Sequence, residues 1–363
     1  MKKFIHSLAV LAVLLTGNSQ EARAQKLETE QDSTKTKTER LFRSDDVLQV
    51  KLVTDFRSLQ KDRGEEVDYH EALMIYVDES GDSVQVPLKV KARGNFRRKS
   101  SNCSLPPLML NFPEKKVKGT LFKNQDKMKL VTRCRDAGYI VQEYMVYKMY
   151  NLITDYSFKA RMAMITYEDS SGKRKTETSP GFLIEDEEAL AKRHNLTLRG
   201  KEAETKNYLT DQLGMCTMVV FQYMIGNTDW SVPFQHNIKL LDQPSGLPMP
   251  VAYDFDHAGI VEASYAAPAP ELSLRSTRER LYRGLGYSEE IFAQVFEKFN
   301  HAKPEIYALY ENNPQLNPAY TKRTLKYLDD FYELINNPNR ARSVFMSNTK
   351  KKGDGVVIKG LNN

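Results

Sequence analysis

Two acidic stretches in the second half of the chain hold the residue types that phosphoryl transfer demands. The first runs Ile225-Gly226-Asn227-Thr228-Asp229-Trp230 and continues to Gln235-His236-Asn237-Ile238. The second is Pro250-Val251-Ala252-Tyr253-Asp254-Phe255-Asp256-His257. Moving a phosphoryl group takes a carboxylate that orients or deprotonates the attacking hydroxyl. It also takes a carboxylate and an amide oxygen that hold Mg²⁺ against the phosphates. Mg²⁺ asks for only one or two protein carboxylates, since phosphate and water complete its shell. The order Asp229, Asn237, a short hairpin and then Asp254 supplies these parts, with Asp256 two residues on and able to share the metal. The simpler alternative is that Asp229 caps a turn and the Asp254 pair closes a strand.

Such groups need elements to position them. Val84, Val86, Leu88, Val90 and Ala92 alternate with polar residues, the period of a half-buried strand. Runs 71–78, 108–112, 127–131, 161–167 and 181–184 read as further strands. Apolar residues recur at helical spacing from Ala137 to Ile153. The second half reads as mainly helical: 209–225, 288–300 and 320–335, with a hairpin of strands 237–241 and 250–253 between the first two. A strand-rich half followed by a helical half is an α+β plan, with a cleft between the halves as the place for a site.

Several stretches, in order, resemble the CotH kinase-like family, and more loosely the HipA-type atypical kinases. They are Val90-Lys91-Ala92-Arg93-Gly94-Asn95-Phe96, Lys127-Met128-Lys129-Leu130, Pro180-Gly181-Phe182-Leu183-Ile184-Glu185-Asp186, Gly226-Asn227-Thr228-Asp229-Trp230, His236-Asn237 and Tyr253-Asp254-Phe255-Asp256. The resemblance spans roughly residues 84–260. It implies a two-lobed protein-kinase-like fold, with a strand-rich N-lobe carrying one helix and a mainly helical C-lobe. It implies Asp229 as the catalytic aspartate, Asn237 and Asp254 (with Asp256) as metal ligands, and ATP with Mg²⁺ as the phosphoryl donor. Gly94 and the basic loop Arg97-Arg98-Lys99-Ser100-Ser101 could cradle phosphates, the alternative being a solvated hairpin tip. Lys129, or Lys127 on the same strand face, would hold them too, paired with Glu143 of the 137–153 helix. Glu185 would mark the hinge between lobes. The gap from Asp229 to Asn237 exceeds that of ordinary kinases.

Other features bound the reading. Met1-Lys2-Lys3, an apolar run to Thr16 and Ala22-Arg23-Ala24 have the form of a signal peptide, so cleavage is expected after Ala24. The expected organisation is a signal peptide (1–24), a flexible leader (25–45), the N-lobe (46–186), the C-lobe (187–346) and a flexible tail (347–363). No transmembrane span is expected in the mature chain, which would act in the periplasm or at the cell surface. Lys and Arg number 53 against 47 acids, a mildly basic balance that argues against a dedicated nucleic-acid binder. The three cysteines, Cys103, Cys134 and Cys216, cannot form a complete disulfide framework and lack zinc-ligand spacing. Cys216 reads as a small buried hydrophobe. Arg275, Arg278, Arg280 and Arg283 could read an acidic or phosphorylated partner, although a solvated helix face is the simpler reading. His236 reads as a positioning hydrogen-bond residue. Three functions fit: an exported atypical kinase acting on a protein hydroxyl or an envelope partner, an inactive binding or surface-interaction protein, and a transferase acting on an envelope sugar or lipid.

Overall fold

The computed structural model describes residues 40–346, except 65 and 204. The signal-peptide, tail and most of the leader expectations lie outside the described residues. The first part of the described chain is a closed barrel of seven strands: β1 (Leu48–Thr54), β2 (His70–Val77), β3 (Ser83–Ala92), β4 (Leu108–Asn111), β5 (Lys127–Val131), β6 (Ala160–Asp169) and β7 (Glu177–Ile184). Around the barrel the order is β1-β2-β3-β4-β5-β7-β6, and β6 returns to β1. This closed barrel overturns the expected two-lobed, protein-kinase-like fold with a strand-rich N-lobe, although the α+β content stands. The cause is β1, which the sequence reading left unassigned. It pairs antiparallel with β2 on one side and parallel with β6 on the other, from Leu48↔Ala163 to Thr54↔Asp169, which removes both sheet edges.

Alternation fills the barrel as the pattern of β3 predicts. Val86, Leu88, Val90 and Ala92 are buried while their neighbours face out. They meet Leu52, Leu110, Met128, Leu130, Ile165 and Leu183 in the interior. Leu41 and Phe42, at the end of the expected leader, pack into the same core. Gly181 is required where β7 passes β5, because a Cβ there would lie 2.8 Å from the Val131 carbonyl oxygen.

Two short helices, α1 (Phe56–Lys61) and α2 (Glu114–Val117), accompany the barrel. Helix α3 (Gly138–Ile153) is apolar nearly all round because it is covered on two sides. Tyr147 meets Phe182 of the barrel wall at 5.5 Å and Phe255 of the helical part at 4.9 Å, and Tyr150 stacks on Phe221 at 4.3 Å. The rest comprises α4 (Glu187–Arg193), α5 (Gln212–Ile225), α6 (Glu289–Glu311), α7 (Pro318–Ile335), α8 (Pro338–Ala341), and a small sheet of β8 (Thr197–Leu198), β9 (Ile238–Asp242) and β10 (Met249–Ala252) in the order β10-β9-β8. Helix α6 runs beyond the expected end at Asn300 and carries Pro304 in its interior. No helix among the described residues is long and apolar enough to cross a membrane.

Cys103 and Cys134 form a disulfide with Cα atoms 4.9 Å apart, so the odd count conceals one bridge, and Cys216 is buried and free as expected. The arginine segment 275–283 is not a solvated helix face. It lacks helix or strand, and Arg280 and Arg283 turn inward to bond backbone carbonyls.

Candidate functional site

The register of one hairpin brings the two acidic stretches together. β10 pairs with β9 so that Ala252 faces Ile238. The next residues, Asn237 and Tyr253, therefore emerge side by side, and the Tyr253 N–H donates to the Asn237 carbonyl at 3.0 Å. Asp254 follows at once. The Asn237 amide nitrogen donates to the Asp229 carboxylate at 3.1 Å and to its carbonyl at 2.9 Å. With the nitrogen so engaged, the amide oxygen is the atom left to meet a cation.

Asp229 is placed by the end of α5. Gly226 caps that helix in the left-handed conformation, φ +68°, and a Cβ there would lie 2.9 Å from the Thr277 carbonyl oxygen. The Asn227 side chain accepts from the Asp229 N–H, and Arg283 donates to the carbonyls of Thr228 and Trp230 on either side. His236 Nε2 lies 2.9 Å from Asp229 Oδ1, the positioning contact expected of it. The long gap to Asn237 is taken up by a tight turn in which Ser231 and His236 exchange backbone hydrogen bonds. Gln235, Asn237 and Asp254 all hold positive φ, between +44° and +62°. Non-glycine residues in that region carry strain, which gathers where a surrounding structure holds a functional geometry.

Asp229, Asn237, Asp254 and Asp256 line one cavity of about 280 Å³ together with Arg93, Gly94, Arg97, Lys129, Lys201 and His236. One wall is a rim of the barrel, where Ala92, Leu108, Leu130 and Leu183 stand at one level. The other is the β9–β10 hairpin and the loops around it. Burial, then the nearby Asp256, push the Asp254 carboxyl above the usual carboxylate range, with Arg97 and Arg93 opposing. Burial also pushes on Asp256, but Arg97, His257 and the Tyr265 hydroxyl outweigh it and hold that group low. Burial and Arg93 bring the Lys129 ammonium down to about 8.

The remaining predicted residues scatter. Lys129 reaches the cavity, but its carboxylate is Glu187 at 3.6 Å, not Glu143. Glu143 is paired instead with Arg97, Nη2 to Oε2 at 2.7 Å, and Arg97 Nε also reaches Asp256 at 2.9 Å. Arg97 is thus buried inside the expected phosphate loop and not free to cradle a ligand, while Gly94 does line the cavity with φ +83°. Lys127 is exposed and lies outside the cavity lining. Glu185 lies outside the cavity lining. It is buried in a pair with Arg193 at 3.0 Å and accepts from the Lys159 N–H. The sequence reading missed Arg93 and Lys201 as cavity cations, although Arg93 sits within the quoted Arg-Gly-Asn stretch.

No protein-family model matches this chain, and no curated protein matches it.

The donor set fits a hard cation. Asp254 is a carboxylate raised by burial and by acidic neighbours, so a nearby positive charge would relieve it. Among the described residues no three His, Cys, Asp or Glu side chains form a ready-made cage. Asn237 and Asp254 would supply part of a Mg²⁺ shell, with phosphate and water oxygens completing it. Lys129, Arg93 and Lys201 line the same cavity and would give it a positive wall.

Proposed function

We propose that this chain is an exported phosphotransferase of CotH-like chemistry that moves the γ-phosphoryl group of ATP to a protein hydroxyl. The observation that carries the reading is the hairpin register that sets Asn237 beside Asp254 while the same amide holds Asp229. Asp229 orients the acceptor hydroxyl and receives its proton. Its carboxylate is fixed by His236 and Asn237, so it enters the reaction already aligned. Lys129, Arg93 and Lys201 face the phosphates and offset their charge. Asn237 and Asp254 would hold Mg²⁺, which would supply charge neutralisation to the phosphates. Export is supported by the Cys103–Cys134 disulfide, since such bonds persist in oxidising compartments.

The test is transfer of label from γ-labelled ATP to a mixed protein acceptor, with Mg²⁺ or Mn²⁺. The wild-type protein is expected to incorporate label, and Asp229→Ala to lose about 10²-fold or more. Equal incorporation by both, or none by either, overturns the reading.

One observation favours a second function. The Arg97 guanidinium already neutralises Asp256 and Glu143, much as a metal would. An inactive binding protein that has kept only the shape of the site would show this. It would give no nucleotide-dependent rise in thermal stability, whereas a ligand at one hundred times its Kd stabilises by about 2.7 kcal/mol.

A further inference from the structure

A second, larger groove lies away from the candidate site, along one face of α7. Arg323, Lys326, Tyr327, Asp330 and Leu334 recur there at helical spacing, and the opposite wall is the irregular segment bearing Arg278 and Arg280. Its volume is about 770 Å³. Arg340 adds a fifth cation, against only Glu262 and Asp330 as acids.

The floor is built, not incidental. The Tyr327 ring carries the Arg280 guanidinium 3.5 Å and the Arg278 guanidinium 4.4 Å from its centroid. Arg280 is fixed further by donating from Nε to the Met224 carbonyl at 3.1 Å. Glu262 takes up Arg278 and Arg323 but leaves the groove with an excess of positive charge. Arg280 is engaged with the Met224 and Tyr327 carbonyls and Arg278 with Glu262, so these two set a positive floor, while the exposed Arg323, Lys326 and Arg340 stand along the groove to meet carboxylates.

The geometry points to a docking groove for an acidic peptide segment of a partner protein. From Arg323 to Leu334 the helix rises about 16 Å, and an extended chain covers that length in about five residues. An open trench of this length with cations along it fits an extended acidic strand better than a single phosphate group. The inference does not rest on phosphoryl transfer and holds for a protein without turnover.

The test is fluorescence anisotropy with a labelled decapeptide of Asp and Glu, alongside its Lys and Arg counterpart. The acidic peptide is expected to bind and the basic one not, with affinity falling as salt rises. The double reversal Arg323→Glu with Lys326→Glu should weaken binding by about tenfold or more. A control reversal of equal charge on the barrel, Lys115→Glu with Lys116→Glu, should leave it within about twofold. Equal weakening by both pairs, no binding of the acidic peptide, or binding only to phosphatidylserine vesicles overturns the proposal.

Discussion

Replacing Arg97 by Met should be among the most damaging single changes in the molecule. The guanidinium joins three elements: its own loop after β3, Glu143 on α3 and Asp256 beyond the β9–β10 hairpin. The side chains of Glu143 and Asp256 are only 1% and 9% exposed. Removing the cation therefore strands two largely buried carboxylates, Glu143 the more completely. Breaking a buried pair in this way costs about 3–5 kcal/mol. Asp256 keeps the Tyr265 hydroxyl at 3.2 Å, which softens its share, so Glu143 carries most of the loss. For a chain of this size the melting temperature should fall by about 4–8 °C, read by circular dichroism. The pH dependence has a definite sign. Without Arg97, burial raises both carboxyls above their unfolded values, so the penalty is full at high pH and shrinks as pH falls through the folded pKa. The triple variant Arg97→Met, Glu143→Gln, Asp256→Asn should recover most of the stability. A single variant within about 1 kcal/mol of wild type, or a triple variant no better than the single, would refute the idea that this triad ties the barrel rim to the hairpin.

Lys129→Met should raise stability by about 1–3 kcal/mol at neutral pH, because the wild-type ammonium is held charged at a folded pKa of about 8 against 10.5. The same variant should lose nucleotide-dependent thermal stabilisation, and wild type should gain on it as pH rises from about 8 to about 10.5. His236 is pushed down by burial, but its hydrogen bond and charge interaction with Asp229 outweigh that and raise it. Its pair thus contributes stability below the unfolded value of about 6.5, which is lost as pH rises through the higher folded value. His236→Asn should abolish that segment of the stability–pH curve. Serine at both Cys103 and Cys134, 31 residues apart, should cost about 3–4 kcal/mol in denaturant unfolding.

Local elements were easy to read, and their assembly was not. The alternation of β3 and the helical spacing of α3 report burial directly, so both were legible. β1 escaped although Leu48, Val50 and Leu52 alternate with Gln49 and Lys51, because a closing strand is defined by a partner far along the chain. The pairing of Asn237 with Asp254 was legible, since a short hairpin brings its two ends together whatever surrounds it. The partner of Glu143 was not. The sequence offered only Lys129 or Lys127 for it, and Arg97 arrived instead through the path of the 93–103 loop, held by the disulfide to the segment after β5. Lys129 then found Glu187, a residue of a helix that the sequence reading did not assign.

The seam between β1 and β6 also dictates an order of events. Leu48 can complete its ladder only after Ala163 exists. An emerging or translocating chain therefore presents its first strand with one side unsatisfied while the following hundred or so residues arrive. Such a molecule should depend, during its making, on whatever keeps that waiting strand from meeting the wrong neighbour.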